Sequence, residues 1–205
     1  MNSQTKVAGV ILAGGRARRM NNQDKGLMTF KGRPMISYAL DALIPVVDYV
    51  MINANRNIEQ YRQFGHPVIS DQTDSFDGPL AGVLTAMLQV EAEVLVVIPC
   101  DSPFIKAEYL QRLLLSRAEN SADVAVAFDG VRVHPVFMAI KTALRKSLQD
   151  YLVGGQRKVV SWLEQQNLVK VEFTNEAEIF RNINTLTELF ELESLGAFGC
   201  KDSGA

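Results

Sequence analysis

VAGVILAGGRARRMNNQDKGL, residues Val7 to Leu27, decides the fold. The apolar run Val7-Ala8-Gly9-Val10-Ile11-Leu12 predicts a buried strand. It breaks at Ala13-Gly14-Gly15, turns basic at Arg16, Arg18 and Arg19, and closes on Asp24-Lys25-Gly26. Glycines let backbone N–H groups approach an anion without interference from Cβ. Arginine brings a planar donor fork and lysine a mobile point charge. A strand that runs into such a loop reads as a phosphate holder. It is neither a Walker A loop, since GxxxxGK[ST] is absent, nor GxGxxG. The competing reading is a surface turn with a solvated basic face.

Outward from that stretch the pattern repeats. Met35, Tyr38, Ala39, Ala42 and Leu43 recur at helical spacing behind Pro34. Val46 to Asn53 reads as a strand with the polar tip Asn53-Ala54-Asn55-Arg56. A short helix from Ile58 to Phe64 and a strand from Pro67 to Ser70, ending in Asp71, follow. DQTDSFDGPLAG, Asp71 to Gly82, opens a helix over Ala81 to Val90, with Gly78 and Gly82 flanking its start. Glu93 to Pro99 is a buried strand by its β-branched content. It ends in Cys100-Asp101-Ser102-Pro103, and Ile105 to Arg117 is an amphipathic helix. Alternating strands and helices predict a three-layer α/β/α fold with helices on both faces of a mostly parallel sheet. Ligands then bind beyond the carboxyl ends of the strands, where the polar tips gather.

The second half changes character. Asp123 to Phe128, a turn at Asp129-Gly130 and Val131 to Ile140 read as a hairpin. Helices follow over Thr142 to Tyr151 and Lys158 to Gln165. Val169 to Phe173 is a strand, Phe180 to Asn184 a short strand, and Thr185 can cap a last helix over Leu186 to Leu195. The sheet is therefore expected to be mixed, with antiparallel strands added to the parallel half. One domain over 1–195 is expected, with 1–120 as a nucleotide-binding half, 121–195 as a second-substrate half and 196–205 as a frayed tail.

Composition sets the limits. The chain has 205 residues, 47% of them hydrophobic, enough for a full core. A net charge of −2 argues against a nucleic-acid partner, which needs a basic face. No apolar run reaches the roughly 18 residues of a membrane span, and the N-terminus does not read as a signal peptide. Cys100 and Cys200 are too few for a disulfide framework or a zinc site. A cytoplasmic protein is expected.

Several polar residues are candidates for chemistry. Asp101, after a buried strand, is either a helix N-cap or a ligand for a hard cation such as Mg²⁺, which takes one or two carboxylates plus substrate phosphates. The nearby phosphate loop favours the metal. Asn53 and Asp71 either close turns or recognise a base, since a carboxylate accepts from guanine N1–H and N2–H₂. Asn182 and Asn184, two apart on an expected strand, share a face. They either form a turn or touch a ligand or metal. His134 and Arg157 are either packed and solvated, respectively, or line the pocket of a second anionic substrate.

LAGGRARRM…DKGL, NANR at 53–56, DGPLAG at 77–82, PCDSP at 99–103, HP at 134–135 and NINT at 182–185 together resemble the molybdenum cofactor guanylyltransferases. The resemblance covers about residues 6 to 193. It implies a Rossmann-like nucleotidyltransferase fold in which GTP with Mg²⁺ and molybdenum-molybdopterin are substrates. The terminal phosphate of the pterin attacks the α-phosphorus of GTP and pyrophosphate leaves. Carried over residue by residue, the GTP site comprises Leu12, Ala13, Gly14, Lys25, Asn53, Asp71 and Asp101, with Asp101 also on magnesium. Arg19 would hold the triphosphate, Gly15, Gly78 and Gly82 match positions near the ligands, and Asn182 and Asn184 lie beside the active site. Transient contacts with molybdenum-insertion proteins or molybdoenzyme chaperones are compatible with that role. The departure from the family pattern is Asn21-Asn22, where relatives have glycine after the Arg-Met pair. Asparagine tolerates φ > 0 better than other non-glycine residues. The nearest rivals are a cytidylyltransferase for the same pterin and a sugar- or polyol-phosphate nucleotidyltransferase. A non-catalytic GTP-binding carrier is the rival of another class.

Overall fold

The computed structural model describes residues 5–14, 24–71 and 78–197. In chain order, β1 (Val7–Leu12) is followed by a ribbon of β2 (Thr29–Phe30) and β3 (Arg33–Pro34), then α1 (Met35–Leu43), β4 (Tyr49–Asn53), α2 (Ile58–Arg62) and β5 (Val68–Ile69). Next come α3 (Pro79–Gln89), β6 (Val94–Pro99), α4 (Ala107–Glu119), β7 (Val124–Phe128) and β8 (Val133–Lys141). The chain continues through α5 (Arg145–Val153), α6 (Val159–Leu163), β9 (Leu168–Glu172) and α7 (Leu186–Ala197).

Seven strands form one sheet in the order β5-β4-β1-β6-β8-β7-β9. β1 pairs in parallel with β4 and β6, and β4 with β5. β8 runs against both β6 and β7, while β9 is parallel to β7. The sequence predicts antiparallel strands added in the second half, and among the described strands of that half only β8 reverses. The Asp129-Gly130 turn inverts the chain once, and the segment through α5 and α6 brings it back so that β9 runs with β7. Both sides of the expected division at residue 120 contribute strands to this sheet.

Alternation along the strands divides the core between two faces. Ile11, Ile52, Val96 and Ile98 pack with Leu40 and Leu43 of α1 and Leu110 and Leu113 of α4. Val10, Leu12, Leu95 and Val97 pack with Val83 and Met87 of α3, Leu148 of α5 and Trp162 of α6. Both faces are covered, which is why β1 and β6 read as unbroken apolar runs. Each fully buried side chain of this size contributes roughly 1.5–3 kcal/mol, so the central strand ends are rigid platforms.

Two local features depart from expectation. β2 and β3 join through Lys31 (φ 46°) and Gly32 (φ 78°), the signs of a type I′ hairpin turn, which the sequence reading missed. Phe180 to Asn184 is not a strand. Ala177–Phe180 forms a 3-10 turn, and the following residues cross the end of β6 with Ile183 N–H donating to Asp101 O at 2.9 Å. Among the described residues this is the segment's one backbone bond to a strand end, so no ladder forms. Thr185 caps α7 as expected. Its Oγ1 accepts from Glu188 N–H at 3.1 Å, and the Glu188 carboxylate accepts from the N–H groups of Asn184 (2.7 Å) and Thr185 (3.2 Å). This is a capping box. Ile183, Leu189 and Leu192 pack on Phe30 and Met35, fixing α7 beside the ribbon. Among the described residues no helix is long and apolar enough to cross a membrane.

Candidate active site

The sheet order reverses between β1 and β6: β4 and β5 lie beyond β1, and β8, β7 and β9 beyond β6. Such a switch point opens a crevice at the carboxyl ends of the strands. Cys100 N–H donates to Leu12 O at 3.1 Å and ties the two strand ends together.

Lys25 and Asp101 meet across this point. Lys25 Nζ donates to Asp101 Oδ2 at 2.8 Å and to Asn184 Oδ1 at 2.7 Å. Asp101 is only 7% exposed. Its other oxygen, Oδ1, is buried with no hydrogen-bond partner among the described residues. Leaving such an acceptor unsatisfied costs about 1–3 kcal/mol, and its position calls for a ligand. Ser102 Oγ donates to Asn182 Oδ1 at 2.7 Å. Asn182 and Asn184 therefore both reach this corner, although on an extended segment rather than a strand. Asp101 is not a helix N-cap, since α4 begins at Ala107.

A second polar group sits at the end of β4. Asn53 Nδ2 donates to Asp71 Oδ1 at 2.9 Å and Asn55 Nδ2 to Asp71 Oδ2 at 2.7 Å, while Asp71 N–H donates to Asn55 Oδ1 at 2.8 Å. Two amides orient the carboxylate, and each oxygen keeps a further acceptor site. Ala13 N–H donates to Asn53 O at 2.8 Å, and the open side of Gly14 faces Asn55 Nδ2 and Asn53 Oδ1. Leu12, Ala13 and Gly14 thus run directly beside Asn53.

Gly82 has a defined reason to be glycine. A Cβ there would lie 2.3 Å from Asn53 Oδ1 and 3.0 Å from Leu12 Cδ2. What comes close to Gly82 is Asn53. Gly82→Ala is expected to lower stability by about 1–3 kcal/mol through overpacking, despite alanine's higher helix propensity. Urea unfolding measures this, and unchanged stability would show that Asn53 moves aside freely. Gly78, at φ 76°, precedes Pro79 at the start of α3. Gly15, Arg19, Asn21 and Asn22 lie outside the described residues.

His134 and Arg157 make hydrogen bonds away from the Lys25–Asp101 corner. The His134 ring shares a hydrogen bond of 2.7 Å with Asp129 Oδ2 and stacks on Phe180 with centroids 4.4 Å apart. The Arg157 guanidinium donates to Leu152 O and Gln156 O, both at 2.7 Å, near the end of α5. Asp129 is held well below the usual carboxylate range by the Arg132 N–H, by His134 and by the Val131 N–H. Its folded pKa is depressed, so its contribution to stability is present above the unfolded value near 4 and fades as pH falls towards the folded value. The melting-temperature gap between wild type and Asp129→Ala is expected to narrow as the pH falls below about 4. A gap independent of acid would contradict that bonding.

Three side chains in this region, Asp24, Tyr61 and Cys100, are not among the candidates for chemistry read from the sequence. Buried Asp24 accepts from the Tyr61 hydroxyl and from Asn57 Nδ2, the latter at 3.2 Å. Tyr61 is pushed above the ordinary phenol range, first by burial and then by the nearby Cys100 and Asp24, so it remains a donor. The buried Cys100 thiol is likewise pushed up by burial and by Asp101, and stays protonated. The only sequence signal for Asp24 was its place beside Lys25. A cleft of about 470 Å³ opens just past Asp101, lined by residues including Pro103, Phe104, Tyr38, Tyr109 and Glu178. Lys25, Asn53, Asp71 and Asp101 do not line it, and the convergent polar groups lie at the strand ends instead.

Residues 9–170 match the family model described as MobA-like NTP transferase domain. The chain is 45% identical over 180 residues to a molybdenum cofactor guanylyltransferase of Shewanella halifaxensis, covering 88% of this chain and 90% of that one. It is 43% identical over 180 residues to the enzyme of the same name from Shewanella loihica, covering 88% and 92%. Among solved structures it is similar to molybdopterin-guanine dinucleotide biosynthesis protein A from Archaeoglobus fulgidus. The TM-score is 0.76 at 23% identity, over 93% of this chain and 99% of that one, a likeness of fold.

Proposed function

We propose, from the premise that the chain belongs to the molybdenum cofactor guanylyltransferase family of MobA-like NTP transferases, that it transfers GMP from GTP to the terminal phosphate of molybdenum-molybdopterin. The observation that carries this reading is the Lys25–Asp101 contact of 2.8 Å at the switch point, with Asp101 Oδ1 left without a partner among the described residues.

The chemistry asks little of the protein beyond placement and charge. The attacking group is a phosphate oxygen, already anionic at pH 7. It forms a bond to the α-phosphorus as the bond to the β-phosphate oxygen breaks, and pyrophosphate departs with the electron pair. No proton has to move, so no general base or protein nucleophile is required. Positioning and electrostatic stabilisation then supply the rate. Lys25 directs a positive charge at the phosphates, and its third N–H direction is uncommitted among the described residues. Arg19 and Gly15 belong to the triphosphate loop in this proposal. Leu12, Ala13 and Gly14 flank the nucleoside, and Asp71, oriented by Asn53 and Asn55, accepts from the guanine edge.

Asp101 suits magnesium. A hard cation with one protein carboxylate and several phosphate oxygens is the usual arrangement. Among the described residues no group of three or more acidic, His or Cys side chains forms an all-protein cage. Bound through Asp101, magnesium would neutralise charge on the phosphate oxygens. A reaction that consumes GTP also suits the cytoplasm.

Nucleotide choice tests the reading. With Mg²⁺ and molybdopterin present, pyrophosphate release is expected from GTP in strong preference to CTP. Equal rates would overturn the guanine assignment of Asp71 and favour the cytidylyl rival. Nucleotide binding without any pyrophosphate release would favour a carrier.

A further inference from the structure

Resting on the nucleotidyltransferase reading above, we infer that Asp24, held by Tyr61 and Asn57, is the positioning residue of Lys25, and that the asparagine loop before α2 couples the phosphate end of the nucleotide site to its base end.

Three consecutive residues meet three different surroundings. The Asp24 side chain turns inward to the Tyr61 hydroxyl and Asn57 Nδ2. The Lys25 side chain turns to Asp101 and Asn184. Gly26 is pressed against the same tyrosine: a Cβ there would lie 2.5 Å from Tyr61 Oη and 3.3 Å from Cys100 Sγ. The backbone between them is a tight 3-10 turn, with Leu27 N–H donating to Asp24 O at 3.1 Å and Met28 N–H to Lys25 O at 3.2 Å. Lysine has a long, flexible stem. Where its ammonium points depends on where its backbone is held, and the Asp24 carboxylate pins that backbone to α2.

Asn57 makes the case from the other side. It occupies the N-cap position of α2 with a left-handed backbone, φ 51° and ψ 33°, yet its side chain makes no cap bond to the helix. An asparagine there normally serves the helix's own N–H groups. This one serves Asp24, across 33 residues of sequence. Asn53 at the end of β4 and Asn55 in the same loop orient Asp71. Asparagines at 53, 55 and 57 therefore hold the two carboxylates of opposite ends, one the base-recognising Asp71 and the other Asp24, beside the phosphate-binding lysine. Ordering of the loop at one end is transmitted to the other through five residues of chain.

A merely structural role for Asp24 would lower stability without acting through Lys25, and non-additivity separates the two. The variants are Tyr61→Phe and Asn57→Gly, each alone and combined with Lys25→Ala. Glycine at 57 keeps the left-handed backbone accessible, and Asn57 is exposed. That variant carries the test should Tyr61→Phe not fold. The readouts are the dissociation constant for GTP by calorimetry, with and without Mg²⁺, and the separate KM and kcat for GTP. Each single change is expected to weaken GTP binding about fivefold, within the range of coupled neighbours. In the Lys25→Ala background it is expected to change binding less than about twofold, the spread of independent additivity. Wild-type affinity in the single variants, or losses that multiply fully with Lys25→Ala, would overturn the inference. Should Lys25→Ala itself bind GTP as the wild type does, the nucleotide reading of the corner fails first and the inference falls with it.

Discussion

Replacing Asp101 with alanine is expected to lower kcat by about 10²- to 10⁴-fold, while the fold and the affinity for the pterin stay close to wild type. The size follows from removal of a metal-holding carboxylate worth several kcal/mol of transition-state charge stabilisation, at about 1.4 kcal/mol per tenfold in rate. The carboxylate stands at the end of β6, one of the two strands that border the switch point. One oxygen holds Lys25, and the other is buried without a partner among the described residues. Alanine removes both functions, whereas Asp101 O, which accepts from Ile183 N–H, keeps its backbone bond. Circular dichroism checks the fold, titration with pterin checks binding, and single-turnover kinetics checks the chemistry. Turnover within tenfold of wild type would remove Asp101 from the metal role.

Lys25→Ala is the second large effect. A fall of about 10- to 10³-fold in kcat/KM for GTP is expected, the scale of one well-placed electrostatic group. Two contributions add. The ammonium no longer meets the phosphates, and the nearly buried Asp101 loses its counter-charge. The lysine side chain is itself 25% exposed, so solvent moderates the second contribution. Lys25→Arg is expected to rescue only part of the loss, because a planar fork does not reproduce a point charge placed between Asp101 Oδ2 and Asn184 Oδ1. Steady-state kinetics across GTP concentrations measures both variants, and an unchanged kcat/KM in Lys25→Ala would exclude the lysine from the site.

The parallel half of the fold was legible because β1 and β6 are buried on both faces. Their unbroken apolar runs carry the signal in the residues themselves. The polar tips were legible for the same reason: Asn53 and Asp101 stand where such runs stop, and Asp71 stands just beyond short β5. Other features depend on partners distant in sequence. The lone reversal of β8 is set by connections on either side of it. The extended stretch after Phe180 looks like a strand by composition but, among the described residues, its one backbone bond to a distant part of the chain is to Asp101. Gly82 looked like an approach point for a ligand, and the close atom is Asn53 Oδ1. Asp24 gave least warning of all. Its partners Asn57 and Tyr61 are 33 and 37 residues away, and nothing in a single chain written as letters joins them.

Guanylyl transfer itself is tested most directly by following the α-phosphate. GTP labelled at the α-phosphorus, incubated with the protein, Mg²⁺ and molybdenum-molybdopterin, is expected to yield label in a pterin guanine dinucleotide, with unlabelled pyrophosphate released in equal amount. Label that remains in GTP, or appears only as free GMP, would contradict transfer to the pterin phosphate.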